Sequence, residues 1–195
     1  AAIEGGARFV GFVTYPKSPR FLTLDKLGAL ARRAAGRVET VLVTVSADDG
    51  HLAAAVDVAR PDWIQFHGGE APGRVAEARQ FSRRGVIKAL GVGSPEDLVA
   101  ARAYEPVADM LLFDARAPSA AAQPGGNALA FDWAILSGLR FGRPWLLAGG
   151  LSPANVKEAI QVSGADLVDV SSGVESAPGV KDAALIAQFL AAVEV

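Results

Sequence analysis

The chain has 195 residues, of which 51% are hydrophobic and 7% aromatic, and its formal net charge is −2. This length suits one domain with a sizeable core, while the balanced charge without a basic block argues against nucleic-acid binding. No apolar run approaches the length of a membrane span, and the absence of cysteine excludes disulfides and thiolate metal sites within these residues.

The first residues have the pattern of a helix end. Residues 1–4 resemble the last turn of a helix, Gly5 and Gly6 follow as a stop signal, and a strand is predicted from Arg8. A chain that opens on the end of a helix starts partway through a repeating unit. We therefore expect an earlier strand and helix before Ala1.

Seven short apolar runs rich in Val, Ile, Leu and Phe follow along the chain. They span residues 8–14, 37–45, 61–66, 85–90, 109–114, 144–149 and 165–170. Each run is nearly continuous, which is typical of parallel strands that are covered on both faces. Their first residues are 21 to 35 positions apart, about one strand plus one crossover helix.

Helix start signals lie between these runs. Thr23 precedes an amphipathic segment, and Ser94-Pro95 and Ser152-Pro153 each place a capping residue before a proline. Near the end of the chain, apolar residues at 186, 189, 190 and 193 predict a core-facing helix. Strands and helices therefore alternate throughout.

An open doubly wound sheet and a (β/α)8 barrel both fit this alternation. An open sheet normally carries a phosphate-binding turn after its first strand, and the sequence has neither G-x-G-x-x-G nor a Walker lysine loop. A barrel requires one strand more than the seven predicted here. The helix end at the start of the chain fits the end of the crossover helix that would follow this additional strand.

The last two runs end in loops rich in glycine and serine. Such loops after the final strands of a barrel commonly bind phosphate through backbone N–H groups. The candidates are Gly149, Gly150, Ser171, Ser172 and Gly173. Two ordinary tight turns are the alternative, but their occurrence on consecutive strands favours phosphate.

Ionisable residues stand at the ends of other strands. Asp114 ends the fifth run, where a carboxylic acid is placed to act as general acid or base, or else only to cap a loop. Asp132 fits a helix cap better. His67 follows the third run and is either a substrate ligand or a residue that fixes the turn. With two histidines and no cysteine, the sequence argues against zinc.

Two basic features are further candidates. The loop of residues 15–20 contains two prolines, so Lys17 and Arg20 sit on a stiff segment that suits binding of a carboxylate or phosphate. Lys88 lies inside a strand, where a lysine forms a Schiff base or, as we favour, pairs with a carboxylate.

Six motifs together strongly resemble phosphoribosylanthranilate isomerase, in order and over essentially the whole chain. They are GFVTYPKSPR at 11–20, DWIQFHGGE at 62–70, LLFDAR at 111–116, GGNALAFDW at 125–133, LAGGLSPANV at 147–156 and DVSSGVESAPGVKD at 169–182. The resemblance implies a single (β/α)8 barrel domain over residues 1–195 that lacks its first strand. It also implies the Amadori rearrangement of N-(5'-phosphoribosyl)anthranilate in tryptophan biosynthesis, without cofactor or metal.

The resemblance assigns roles to particular residues. Asp114 matches the general acid and Arg20 the arginine for the anthranilate carboxylate, while His67 and Asp169 match weaker substrate contacts. The five glycines and serines named above match the phosphate loops. We expect a cytoplasmic enzyme, monomeric or homodimeric, whose partner is a small phosphorylated substrate and neither nucleic acid nor membrane.

The sequence departs from the family at two places. Ala128 stands where a second glycine is usual after Gly125 and Gly126. More importantly, the family's general base is a cysteine of the first strand, so we expect the base upstream of Ala1. Residues before Ala1 belong to the molecule, or the chain is truncated, or the natural protein lacks the strand. The alternatives for function are a catalytically impaired sugar-phosphate-binding barrel and a Schiff-base lyase that uses Lys88.

Overall fold

The computed structural model describes residues 1–115 and 132–193. Its main sheet has seven parallel strands in sequential order. They are β1 Phe9–Val13, β2 Glu39–Thr44, β3 Trp63–Phe66, β4 Gly85–Val92, β5 Met110–Ala115, β6 Trp145–Leu147 and β7 Leu167–Val168. All seven lie where the apolar runs predicted strands. Together with the crossover helices they give the strand-helix alternation of a TIM barrel.

In the described ranges, six α-helices accompany the strands. They are α1 Leu24–Ala34, α2 Asp49–Ala59, α3 Pro72–Ala78, α4 Pro95–Ala101, α5 Val156–Ser163 and α6 Ala183–Val193. Short 3-10 helices cover Arg79–Phe81, Arg102–Tyr104, Trp133–Leu136 and Ser172–Val174, and a small antiparallel hairpin pairs β8 Glu175–Ala177 with β9 Val180–Lys181. Among the described residues, no helix is long and apolar enough to cross a membrane.

Both faces of the sheet are buried, by two different sets of side chains. Alternate strand residues such as Val41, Ile87 and Leu112 form one apolar cluster inside the curved sheet. Their neighbours in sequence, such as Leu42 and Leu111, belong to a second cluster that packs against the helices. Because strand side chains alternate between faces, burial of both faces explains why the runs are continuously apolar.

The first residues form the predicted helix end. The Ala7 N–H donates to the Ala2 carbonyl at 3.0 Å, and the Gly6 N–H donates to the Ile3 carbonyl at 3.2 Å. Gly6 has a φ of +83°, in the left-handed region that favours glycine. This pair of hydrogen bonds is the Schellman motif, which satisfies the last carbonyls of a helical turn.

Two of the predicted helix starts are confirmed, and the third is displaced. α1 begins after Thr23 and α4 after Ser94, but α5 begins at Val156 rather than directly after Ser152. The reason is the side chain of Asn155, whose Oδ1 accepts from the Ser152 N–H at 2.8 Å and whose Nδ2 donates to the Gly150 carbonyl at 3.0 Å. These contacts close a turn before the helix begins.

The pairing of the sheet ends at β1 and β7. Within the described part of the chain, β1 pairs with β2 alone and β7 with β6 alone, so these are the two edge strands. On α6, Ile186, Phe189 and Leu190 border a cavity beside those edges, and Phe189 is buried.

Two leucines of α1 provide a test of this packing. Leu27 is fully buried and Leu24 is 39% exposed. Leu27→Ala is expected to lower the free energy of unfolding by about 2–5 kcal/mol, because it leaves a cavity under the helix. Leu24→Ala is expected to cost less than about 1 kcal/mol. Urea unfolding measures both, and equal losses would contradict the placement of α1.

Candidate active site

Three ionisable side chains reach the carboxyl ends of the strands from the inner face. Asp114 continues the inner positions of Met110 and Leu112 along β5, and Asp169 lies two positions after Leu167 of β7. His67 similarly lies two positions after Gln65, in the alternation that begins at Trp63. Alternation of side chains thus directs all three towards the same opening of the sheet.

His67 links two of the polar groups in this opening. Its Nε2 lies 3.1 Å from Oδ2 of Asp114, and its Nδ1 lies 3.0 Å from the Gln65 amide nitrogen. Because that amide nitrogen donates to Nδ1, the ring proton is on Nε2 and points at the Asp114 carboxylate. Gln65 was not predicted from the sequence, although a buried glutamine two residues before the histidine was a usable signal.

Asp169 faces the same opening and is electrostatically coupled to its neighbours. The pKa of Asp169 is raised, mainly because the surrounding protein partly desolvates its carboxylate and further because Asp114 is also negative. His67 and Lys181 oppose this shift. Asp169 therefore keeps a proton to higher pH than an isolated aspartate does.

The two glycine-rich loops meet at the same opening, because they follow β6 and β7. Gly149 has a φ of +89°, and a Cβ there would lie 2.9 Å from Oδ1 of Asp114. A Cβ on Gly173 would collide with the Leu151 carbonyl oxygen. Glycine is thus required at both positions by close approach. Ser172 begins a short 3-10 helix after Ser171, in the position where phosphate-binding barrels carry an extra helix.

These groups line one end of a cavity of about 720 Å³, which extends between β1 and β7 to Ile186 and Leu190 of α6. The predicted site residues that line it are Arg20, His67, Asp114, Gly149, Gly150, Asp169, Ser171 and Ser172. Gly173 is absent from its lining because it packs against Leu151. Lys17 is exposed on the loop and is not among the described residues that line the cavity.

Arg20 enters the cavity already paired. Its Nε donates to Oε1 of Glu175 and its Nη2 donates to Oε2, both at 2.7 Å. The two side chains are 12% and 4% exposed. Sequence reasoning missed Glu175, because 155 residues separate it from Arg20.

Lys88 lies on the other face of the sheet and is fully bonded. Its Nζ donates to the Gly68 carbonyl at 2.6 Å, to Oε2 of Glu70 at 3.0 Å and to the Phe66 carbonyl at 3.3 Å. Burial lowers the pKa of Lys88, and Glu70 opposes that shift. The Schiff-base interpretation of Lys88 is therefore wrong, because the amine faces away from the cavity; the structural interpretation is confirmed.

Glu70 uses its carboxylate to fix the loop that carries His67. It accepts from the Ser46 N–H at 2.7 Å and from the Gly68 N–H at 2.9 Å, in addition to Lys88. The buried ion pair thus ties the segments that follow β2 and β3 to the middle of β4.

Other sequence candidates are placed as follows. Asp132 caps the 3-10 helix Trp133–Leu136 by accepting from the Ala134 N–H at 3.0 Å, as predicted. Gly125, Gly126 and Ala128 lie outside the described residues. In residues 1–115 and 132–193, no cluster of three or more His, Asp or Glu side chains is arranged to hold a metal ion.

Comparison with known proteins supplies the family. The family model described as N-(5'phosphoribosyl)anthranilate (PRA) isomerase matches residues 1–192. A relative from Paracoccus denitrificans named N-(5'-phosphoribosyl)anthranilate isomerase is 52% identical over 191 residues, which are 98% of this chain and 89% of the relative.

Solved structures of the same family have the same fold. The phosphoribosyl anthranilate isomerase from Thermotoga maritima has a TM-score of 0.86 at 33% identity, covering 99% of this chain and 91% of its own. A second isomerase structure, in complex with reduced 1-(o-carboxyphenylamino)-1-deoxyribulose 5-phosphate, has a TM-score of 0.82 at 30% identity. The match covers 99% of this chain and 90% of that structure's chain.

The raised pKa of Asp169 predicts a gain in stability on its removal. A carboxyl whose folded-state pKa is raised favours folding only when protonated, and that contribution is lost as pH rises through the folded-state value. We therefore expect Asp169→Asn to unfold at higher urea concentration at pH 7 and to show no gain below pH 3.8, the ordinary pKa. Asp57→Asn, on the exposed face of α2, is the control. A gain of equal size at both pH values contradicts this explanation.

The Lys88–Glu70 pair predicts a loss in stability when one partner is removed. Lys88→Met is expected to cost about 3–5 kcal/mol, because it leaves a buried carboxylate without its charged partner. Lys157→Met, at an exposed position of α5, is the matched control and should change stability by less than about 0.5 kcal/mol. Urea unfolding decides, and similar values for the two variants would refute the structural role.

Proposed function

Because the chain belongs to the family of N-(5'-phosphoribosyl)anthranilate isomerases, we propose that it catalyses the Amadori rearrangement of N-(5'-phosphoribosyl)anthranilate to 1-(o-carboxyphenylamino)-1-deoxyribulose 5-phosphate. The observation that carries this proposal is the composition of one cavity. Asp114 and His67 line it together with the glycine-serine loops and Arg20. This substrate needs a general acid, a cationic group that binds its carboxylate, and loops that bind its phosphate.

The two ends of the substrate fit the two sides of the cavity. The phosphate is bound by the loops of Gly149-Gly150 and Ser171–Gly173, through backbone N–H groups and serine hydroxyls. The anthranilate carboxylate is bound by Arg20, whose guanidinium matches a carboxylate. Binding at both ends orients the ribose between them, so that remote binding energy contributes to the reaction at the ring.

Asp114 acts as the general acid in this proposal. Protonation of the furanose oxygen breaks its bond to C1 and gives a protonated Schiff base. Removal of the proton from C2 then yields an enolamine, which tautomerises to the ketone. The family's base is a cysteine, and the sequence has none, so the transfer at C2 is assigned to no residue of these 195.

His67 and Asp169 support the acid. His67 holds Asp114 in position through the 3.1 Å contact and is itself oriented by Gln65. Asp169 lines the same cavity, and the negative charge of Asp114 adds to the effect of burial in raising the pKa of Asp169.

The ligand that this proposal assigns to the cavity is thus a small phosphorylated molecule. Each step moves protons and electron pairs within the substrate, so the proposal includes no cofactor or metal. We place the reaction in the cytoplasm, and a monomer or homodimer stays a prediction.

A second candidate is a barrel that binds the sugar phosphate without turning it over. It is carried as the alternative because the 195 residues, taken alone, contain the binding groups but no cysteine to act as the base. Phosphate loops and Arg20 alone are sufficient for binding, whereas isomerisation also needs a base at C2.

Asp114→Asn tests the catalytic assignment. Loss of the Asp114 carboxylic acid is expected to lower kcat about 10²–10⁴-fold, because general acid catalysis typically contributes that much. Consumption of N-(5'-phosphoribosyl)anthranilate, followed by its fluorescence, measures kcat. Asp132→Asn, outside the cavity, is the control and should retain full activity. The affinity for the reduced product should change less than about threefold, since an uncharged hydrogen-bonding group replaces the carboxyl.

The outcomes separate the two candidates. Turnover that is lost in Asp114→Asn supports the isomerase. Tight binding of the reduced product with no turnover by the full-length protein supports the binding barrel. If the chain neither binds the reduced product nor consumes the substrate, both candidates are wrong.

A further inference from the structure

The Arg20 side chain is held along one edge of its guanidinium group. Glu175 accepts from Nε and Nη2 with two parallel hydrogen bonds of 2.7 Å. Such a bidentate contact fixes the plane of the guanidinium as well as its position. Glu175 is only 4% exposed, so water competes little for its oxygens.

The contact leaves the other edge of the guanidinium for a ligand. Nη1 has no hydrogen bond to any described residue, and Nη2 has a second hydrogen that the Glu175 contact does not use. Arg20 also lines the cavity. The end-on edge of Nη1 and Nη2 is therefore available for a second planar carboxylate.

Glu175 is itself anchored from the phosphate side. Oε1 accepts from Lys181 at 2.8 Å, and Oε2 accepts from the Gly179 N–H at 3.1 Å. Lys181 also donates to the carbonyl of Ser171 at 2.7 Å, within the loop assigned to phosphate. Glu175 therefore joins the arginine of one loop to the candidate phosphate site of another.

The two loops also touch through their backbones. A Cβ added to Gly179, which has a φ of +82°, would lie 2.5 Å from the Pro19 carbonyl oxygen. The β8–β9 hairpin thus rests directly on the loop that carries Arg20. This packing holds the carboxylate of Glu175 at a fixed place relative to the start of the arginine side chain.

A free arginine loses side-chain conformational entropy when a ligand immobilises it. Where another residue has already immobilised it, binding a ligand no longer incurs that cost. We propose that Glu175 is a positioning residue that orients Arg20 towards the substrate carboxylate and so determines the preference for a carboxylated substrate. This inference rests on the proposed function. Consistent with it, burial of Glu175 is outweighed by its hydrogen bonds from Arg20 and Lys181, which lower the pKa to about 2.

A different role for Glu175 has the opposite consequence. If Glu175 only neutralised Arg20, removing its charge would free the arginine and strengthen its attraction for a substrate carboxylate. Positioning instead predicts weaker binding of that carboxylate. The direction of the change therefore separates the two roles.

Calorimetric titration of two ligands provides the test. One is reduced 1-(o-carboxyphenylamino)-1-deoxyribulose 5-phosphate, and the other is the same molecule without its carboxylate. Glu175→Gln is expected to weaken the first ligand about 10-fold, the scale of one charge-assisted hydrogen bond, and to leave the second within about twofold. Glu158→Gln, at an exposed position of α5, is the control and should leave both unchanged. An unchanged or increased affinity for the carboxylated ligand overturns the proposal.

Glu175→Asp separates orientation from charge. It keeps the negative charge but withdraws the carboxylate by one methylene, so positioning predicts a loss close to that of Glu175→Gln. If Glu175→Asp binds both ligands like the unmodified protein, charge alone is responsible and the proposal is wrong.

The Arg20 Nε–H resonance provides a readout that needs no ligand. In the unmodified protein this proton is expected to exchange slowly with water, and in Glu175→Gln it should exchange at least about tenfold faster, because its charged acceptor is lost. Fast exchange in the unmodified protein overturns the positioning role. Failure of the proposed function is recognised separately, because the unmodified protein would then bind neither ligand although Nε–H is protected.

Discussion

The site depends on the alternation of side chains along strands whose two faces are both buried. Inner positions of β3, β5 and β7 lead to His67, Asp114 and Asp169 at the same opening. The neighbouring outer position of β4 turns Lys88 towards Glu70 and away from that opening. A shift of one residue in any strand would exchange these faces, so the register of the sheet determines which ionisable groups meet.

Loops then bring together what the strands leave apart. Gly173 lies against the backbone of Leu151, and Gly179 lies against that of Pro19. Both contacts exclude a side chain, so the loops approach more closely than other residues allow. The ion pair of Arg20 and Glu175 crosses the same region, between segments 155 residues apart. The result is a cavity in which hydrogen bonds through Glu175 and Lys181 connect the Arg20 side to the Ser171 loop.

The strands, and the placement of two candidate site residues at one cavity, were predictable because their signals are local. Continuous apolar runs predicted seven parallel strands, and Asp114 and His67 were found from their places at strand ends. The start of α5 was misplaced because Asn155 closes a preceding turn through hydrogen bonds that no capping pattern indicates. The role of Glu175 was beyond sequence reasoning, because neither residue of the pair indicates which distant side chain it meets. From the sequence, Lys88 could form a Schiff base or pair with a carboxylate, and the contact with Glu70 decides for the pair.

A crystal structure of this chain with reduced 1-(o-carboxyphenylamino)-1-deoxyribulose 5-phosphate tests the central claim most directly. The account predicts the phosphate between the loops of Gly149-Gly150 and Ser171–Gly173, and the carboxylate on the free edge of Arg20. It also predicts Asp114 within hydrogen-bonding distance of the ligand's sugar oxygens. A ligand bound with its phosphate at Arg20, or outside the cavity that Asp114 lines, would contradict the account.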